Sequence, residues 1–151
     1  MKKNSVLCAI DVNDYDQDIV DLAAHFAKQF GTDLDLLHVT LTPDPSNAAW
    51  PAYIGAPSEL VRDNRTLKRV ETNVDGVEVH GHQLAGLPVD KVVKFVEQNK
   101  PRLLVLGTHA RTGFERLLGS ISSKIMRRVA CPVMLAKQKR NSHEQNATET
   151  A

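Results

Sequence analysis

The chain has 151 residues, of which 42% are hydrophobic and 25% are charged, and its formal net charge is +1. This length suits one domain with a sizeable core, and the small net charge provides no overall field that would attract nucleic acid or an anionic membrane. No apolar run approaches the roughly 20 residues that span a bilayer, and the apolar run after the basic start is too short for a signal peptide.

The two cysteines indicate the redox setting. Cys8 and Cys131 lie inside apolar segments and lack the spacing of metal ligands. Cysteines of this kind are typical of small, reduced core residues. Together with the small net charge and the short apolar runs, they lead us to expect a soluble protein of the cytoplasm that binds neither nucleic acid nor membranes.

The first third of the chain alternates between strand and helix patterns. Residues 6–10 form a short apolar run that stops at an aspartate, typical of a strand buried on both faces. Residues 14–30 repeat apolar side chains at helical spacing, and residues 34–39 return to a strand pattern. Residues 40–57 contain four prolines and predict an irregular loop.

The next segment predicts a helix and an edge strand. Residues 58–72 carry a weak apolar stripe, with Ser58 as the predicted N-cap. Residues 77–83 alternate between an apolar face and a polar face that carries His80 and His82, which predicts a strand at the edge of the sheet. These histidines would suit a metal, but no third ligand lies nearby in sequence, so solvent-exposed edge histidines are the favoured interpretation.

The remainder completes the alternation. Pro88 opens a helix at its first position, where its missing N–H costs nothing. Residues 103–106 form the most apolar strand, Ser120 begins a last helix, and residues 131–136 form a final strand. Residues 1–137 are thus predicted to form one domain, and residues 138–151 a polar, disordered tail.

Alternation of this kind predicts an α/β fold with a five-stranded parallel sheet and crossover helices on both faces. In such sheets, ligands bind beyond the carboxyl ends of the strands where the strand order reverses. The loops that follow the first, second and fourth strands are therefore the candidate binding loops: residues 11–14, 38–42 and 107–120. His38, at the end of the second strand, is most simply a hydrogen-bonded structural histidine.

The loop of residues 107–120 has the features of an anion site. Its glycines let backbone N–H groups approach an anion, and the helix that begins at Ser120 adds its N-terminal dipole. Ser120 and Ser122 offer hydroxyl donors, and Arg111 and Arg116 offer positive charge. The alternative is a glycine-containing loop in which Ser120 only caps the helix. No P-loop sequence and no Gly-x-Gly-x-x-Gly after the first strand are present.

At these residues the sequence resembles the universal stress protein family. The ATP-binding members of that family carry Gly, two residues, Gly, nine residues and then Gly-Ser or Gly-Thr after the fourth strand. The resemblance extends over roughly residues 4–137 and depends on the order of several short motifs. These are Asp11, Leu-Leu-His-Val at 36–39, Gly-x-Pro at 86–88, Gly-Thr-His-x-Arg-Thr-Gly at 107–113, Gly-Ser at 119–120 and Cys-Pro-Val at 131–133.

The resemblance implies a Rossmann-like open sheet of strand order 3-2-1-4-5 and a site for ATP or a related adenine nucleotide. The segment around Asp11, with Val39, would line the adenine and ribose pocket, and the residues after the fourth strand would hold ribose and phosphates, with Mg2+ as an optional bridge between phosphate oxygens. The implied nucleotide-binding residues are Ala9, Ile10, Asp11, Val39, Leu106, Gly107, His109, Ala110, Gly119, Ser120, Ile121 and Ser122.

Two departures from the family pattern fall in this loop. Ala110 stands where the pattern has its middle glycine, and eight residues instead of nine separate it from Gly119. If position 110 must be left-handed, an alanine there costs roughly 1 kcal/mol or more. The missing residue would shorten the arch over a triphosphate.

The resemblance also implies a homodimer paired through the last strand, Val133–Lys137, and an unpaired apolar edge would favour association on physical grounds. Three functions remain open from the sequence: a stress-response module that binds an adenine nucleotide, a slow ATPase or self-phosphorylating enzyme, and a homodimeric scaffold that binds no nucleotide. The enzyme ranks lower because Asp11, His109 and the loop arginines supply no clear general base.

Overall fold

The computed structural model describes residues 4–12, 15, 17–41, 56–108 and 120–137. Five parallel strands form one sheet in the order β3-β2-β1-β4-β5, which confirms the predicted fold and strand order. The elements in chain order are β1 (Val6–Ala9), α1 (Gln17–Phe30), β2 (Leu34–Leu41), α2 (Ala56–Thr72), β3 (Val79–Gly86), α3 (Pro88–Asn99), β4 (Leu103–Thr108), α4 (Ser120–Arg128) and β5 (Val133–Lys137).

The sheet is covered on both faces because its central strands are apolar on both sides. On one face, residues of β1 and β2 such as Val6 and Leu36 pack with Val20 of α1 and Val70 of α2. On the opposite face, a second apolar cluster joins β1, β2 and β4 to α3 and α4. Its fully or nearly fully buried members are Leu7, Leu37, Val92, Phe95, Val96, Leu104, Leu106 and Ile125.

The two cysteines are free thiols, as the sequence predicts. Cys8 lies in the first apolar cluster, and complete burial raises its pKa to about 12. Cys131 is half-buried, and burial raises its pKa as well, against a smaller lowering by a backbone hydrogen bond. Neither thiol forms an appreciable thiolate near neutral pH, so both are poor nucleophiles.

Strand boundaries differ from the sequence prediction where pairing determines them. β3 begins at Val79 and ends at Gly86, so the predicted range 77–83 starts two residues early and ends three residues early. β2 continues to Leu41, beyond its predicted end at residue 39. β2 and β3 pair without interruption from Leu34↔Val79 to Leu41↔Gly86, so each strand is longer because the other continues beside it. The prediction that β3 lies at the sheet edge is confirmed.

Helix ends follow local backbone chemistry. α3 begins at Pro88 as predicted. α1 ends at Phe30 before Gly31, whose φ of +65° suits a C-terminal stop. The prediction that Ser58 is an N-cap is wrong, because α2 begins at Ala56 and so includes position 58.

The predicted proline-rich loop between β2 and α2 and the predicted tail of residues 138–151 lie almost entirely outside the described residues. No helix in the described ranges has the length and apolarity needed to cross a membrane.

Candidate functional site

The strand order reverses at β1, because the chain adds β2 and β3 on one side of it and β4 and β5 on the other. Ala9 at the end of β1 is in register with Leu106 of β4, and the Ile10 amide donates to the Leu37 carbonyl of β2. Asp11 follows and is exposed at this edge. The structure thus places the ends of β1 and β4 side by side at the position where open α/β sheets bind ligands.

Val39 lies at the same edge, two residues beyond Leu37 on β2. It packs against the apolar cluster under α3 and α4 and remains half-buried. Gly107, near the end of β4, is also half-buried. The predicted residues from the first, second and fourth strands are therefore brought to one edge, although they are up to about 100 positions apart in the chain.

The first turn of α4 is tied to the end of β4. α4 begins at Ser120, as predicted, and the Ser122 hydroxyl donates a hydrogen bond of 3.0 Å to the carbonyl oxygen of Gly107. Ser122 is buried, whereas its neighbour Ile121 is about half exposed. The hydroxyl proton of Ser122 already bonds to the Gly107 carbonyl oxygen, so it could bond to a phosphate only if that hydrogen bond were broken. The predicted site residues His109, Ala110 and Gly119 lie outside the described residues.

A buried polar network lies beside this edge, on the face covered by α1 and α2. His38 Nε2 is 2.8 Å from Asp63 Oδ2 of α2, and both side chains are only 3% exposed. The same carboxylate oxygen accepts a 2.9 Å hydrogen bond from the Thr40 hydroxyl. The Gln83 amide of β3 donates to the Thr40 hydroxyl and to the Leu60 carbonyl. The network thereby connects β2, β3 and α2.

The second ring nitrogen of His38 faces the segment after β1. Nδ1 lies 3.3 Å from the Val12 amide nitrogen and 3.3 Å from the Ile10 carbonyl oxygen. A carboxylate accepts and the Val12 N–H can only donate, so we assign the ring proton to Nε2 and the acceptor role to Nδ1. The sequence predicts His38 as a structural histidine but gives no sign of Asp63 as its partner, since 25 residues separate them.

His80 and His82 lie toward the opposite, amino end of the sheet. His80 Nε2 is 3.1 Å from Asp33 Oδ2, and His82 Nε2 is 2.8 Å from Asp35 Oδ1. Their side chains are 33% and 25% exposed, so the expectation of solvent-exposed histidines is wrong. Position at the sheet edge is not sufficient to predict the exposure of these histidines, because aspartates on the neighbouring strand and in the turn before it face the same side and bind the rings.

Asp35 is the buried member of this group. It accepts hydrogen bonds from His82 and from the Ser5 hydroxyl, and it is about 1% exposed. Burial raises the pKa of the Asp35 carboxyl, but the bonds from His82 and Ser5 and the charge of His82 and His80 outweigh burial and leave the pKa below its usual value.

Asp33, Glu78 and His80 each offer one ligand atom, and these atoms lie within 4.8 Å of one another. Ion pairing accounts for this arrangement, because His80 Nε2 lies 3.1 Å from the Asp33 carboxylate and 3.6 Å from that of Glu78. Glu78 is largely exposed. His82 contacts Asp35 and does not belong to this group.

The fold and the edge site define an open, parallel α/β protein with a candidate ligand site at its strand-order reversal. The model of the universal stress protein family matches residues 3–137, and the chain belongs to this family. Universal stress protein MJ0531 of Methanocaldococcus jannaschii is 30% identical over 142 residues, which cover 88% of this chain and 81% of that protein.

Solved structures share the fold. A universal stress protein from Archaeoglobus fulgidus superimposes with a TM-score of 0.70 at 19% identity, covering 87% of this chain and 97% of that one. A universal stress protein in complex with cAMP has a TM-score of 0.61 at 22% identity, covering 91% and 98%. An Archaeoglobus fulgidus complex with dAMP has a TM-score of 0.61 at 19% identity, covering 89% and 98%. At these identities the likeness establishes the fold.

Proposed function

We propose that this universal stress protein is a regulatory module of the stress response that binds an adenine nucleotide at the carboxyl edge of its sheet. The observation that carries the proposal is that the ends of β1 and β4 lie side by side at the reversal of strand order, with the first turn of α4 hydrogen-bonded to Gly107. The family relationship and the cAMP and dAMP complexes of proteins with the same fold support an adenine ligand.

The residues at this edge suit the parts of an adenine mononucleotide. Val39 offers apolar surface to the base, and the backbone carbonyls at Ala9 and Ile10 offer acceptors beside it. The Asp11 carboxylate is an acceptor for ribose hydroxyls. The amino end of α4, with Ser120 and Ser122, supplies N–H groups and a favourable dipole for phosphate.

The phosphate count separates ATP from shorter nucleotides. Ala110 and the one-residue-short spacing to Gly119 fall in the segment that would surround the outer phosphates. We therefore expect the base, the ribose and the first phosphate to supply most of the affinity. Mg2+ would contribute only with ATP or ADP, by offsetting the charge of neighbouring phosphates. A calorimetric titration with AMP and with ATP, each with and without Mg2+, measures these contributions separately.

Release of bound nucleotide on denaturation, followed by chromatography, tests the proposal directly. Asp11→Ala should weaken AMP binding roughly fivefold or more, because one hydrogen-bonded charged acceptor is lost. Asp75→Asn is the matched control, since Asp75 is exposed in the turn before β3. The proposal is wrong if no nucleotide is released and neither AMP, cAMP nor ATP gives a heat of binding or a thermal shift. That outcome would favour a scaffold that binds no nucleotide.

A further inference from the structure

His38 and Asp63 connect helix α2 to the segment after β1, residues 10–12, that carries Asp11. We infer that His38, oriented by Asp63, is a positioning residue that holds this segment in place and so sets the affinity for the adenine nucleotide. The nucleotide part of the inference rests on the function proposed above. The placement of the segment rests only on the hydrogen bonds of His38.

The two nitrogens of one imidazole ring perform the two halves of this task. Nε2 donates to Asp63 Oδ2 over 2.8 Å, which fixes the orientation of the ring and leaves Nδ1 as an acceptor. Nδ1 then receives the Val12 amide. Val12 is 4% exposed, so this amide has little access to water. A buried N–H without an acceptor is costly, and His38 therefore holds Val12, the residue after Asp11, at a defined position.

Asp63 is itself held on two sides. The Thr40 hydroxyl donates to the same oxygen that binds His38, and the exposed Arg62 guanidinium lies 3.5 Å from the other oxygen. Gln83 donates to Thr40 from the neighbouring strand. This support restricts the carboxylate and, through it, the ring. A displacement of α2 would consequently be transmitted through Asp63 and His38 to residues 10–12.

Two nearby amides, those of Ile10 and Val12, allow the placement of residues 10–12 to be tested within the same protein. The Ile10 N–H donates to the Leu37 carbonyl of β2, whereas the Val12 N–H donates to His38. Loss of the imidazole should therefore expose Val12 selectively. Amide hydrogen exchange, followed by NMR, should show faster exchange at Val12 in His38→Gln while Ile10 keeps its protection. A glutamine carries a donor and an acceptor but cannot reproduce the spacing of the two ring nitrogens.

The affinity is tested with AMP as the probe. His38→Gln and Asp63→Asn should each weaken AMP binding roughly fivefold, as expected for one lost hydrogen bond near the ligand. If the two side chains act as one unit, the double variant should bind AMP no more weakly than the weaker single variant. His25→Gln, an exposed histidine on α1, and Asp75→Asn are the matched controls and should bind as the wild type does.

The outcomes separate the two proposals. Absence of AMP and ATP binding in the wild type would overturn the proposed function and the nucleotide part of the inference, while Val12 exchange would still decide the placement. Unchanged Val12 exchange in both variants overturns the placement. Faster Val12 exchange with unchanged AMP affinity overturns the effect on binding. If His38→Gln does not fold, Asp63→Asn, measured for Val12 exchange and AMP affinity, decides both parts.

Discussion

The hydroxyl of Ser122 donates a hydrogen bond of 3.0 Å to the carbonyl oxygen of Gly107, joining the first turn of α4 to the end of β4. The two residues flank the segment that the family resemblance associates with phosphate. Because Ser122 is buried, the bond lies largely away from solvent. It joins the residues at the two ends of that segment directly to each other.

Ser122→Ala should lower the free energy of unfolding by about 1 kcal/mol, since it removes a largely buried hydrogen bond and leaves the Gly107 carbonyl without this donor. Urea unfolding followed by circular dichroism measures the change. Ser122→Thr, which keeps the hydroxyl, and Ser123→Ala on the next helical position are the controls. Equal destabilisation by Ser122→Ala and Ser123→Ala would show that the bond contributes nothing particular.

Asp35→Asn should destabilise the protein by about 2 kcal/mol at neutral pH, because the charged acceptor of the Ser5 and His82 hydrogen bonds is lost. The folded-state pKa of Asp35 lies below its unfolded value. The carboxylate therefore contributes its full stability above the unfolded pKa of about 4 and loses it as the pH falls through the folded-state pKa.

The difference between wild type and Asp35→Asn should accordingly be largest above pH ~5 and shrink on acidification below pH ~4. Urea unfolding at a series of pH values gives this difference directly. Asp75→Asn, at an exposed position, should show no comparable dependence on pH. A difference that grows toward acid pH would mean that the pKa of Asp35 is raised on folding.

Cys131 should be alkylated by iodoacetamide well before Cys8 in the native protein. Complete burial and a pKa of about 12 deprive Cys8 of both access and thiolate, whereas Cys131 is only half-buried. Mass spectrometry of the digested protein identifies the modified residue at each time point. In urea the two thiols should react at similar rates, and native modification of Cys8 first would contradict the described packing.

The chain should be a homodimer paired through β5. β5 bonds to β4 along one edge, and no other described strand bonds to it. Its residues from Val133 to Ala136 remain half-buried, and an exposed strand edge of this kind favours pairing with a second copy. Sedimentation velocity measures the mass, and a monomer throughout the accessible concentration range would rule the dimer out.

Removal of the β5 pairing surface provides a second test. Leu135→Pro would remove one backbone N–H donor from this strand, and Leu135→Ala is the control for lost side-chain volume. We expect Leu135→Pro to be monomeric and Leu135→Ala to dimerise more strongly than Leu135→Pro. Equal dimerisation by two folded variants would mean that the dimer uses another surface.

Periodicity along the chain was sufficient to predict the order and type of the elements. The run of residues 103–106 is apolar on both faces and has only one stable place, a covered central strand, which is where β4 lies. Pro88 marked the start of α3 because it suits only the first turn. The family and the fold followed from motifs whose order along the chain is itself the signal.

Strand ends and partners depended on residues distant in sequence. β3 extends to Gly86 because β2 continues beside it to Leu41, and neither strand reveals this alone. Likewise, the pattern of alternating residues shows that His80 and His82 share a face. It does not show that Asp33 and Asp35 lie opposite them, because strand register is a property of the assembled sheet.

The sequence by itself therefore determined the class of fold and the family, and it predicted the edge of the sheet at which a ligand site is proposed, since these depend on local propensity and on motifs read along the chain. Only the tertiary structure decided which side chains act together there. His38 bonds to Asp63 through one ring nitrogen and to the Val12 amide through the other, and the Ser122 hydroxyl bonds to the Gly107 carbonyl. Such contacts arise when packing brings separate elements to hydrogen-bonding distance, and no local pattern encodes them.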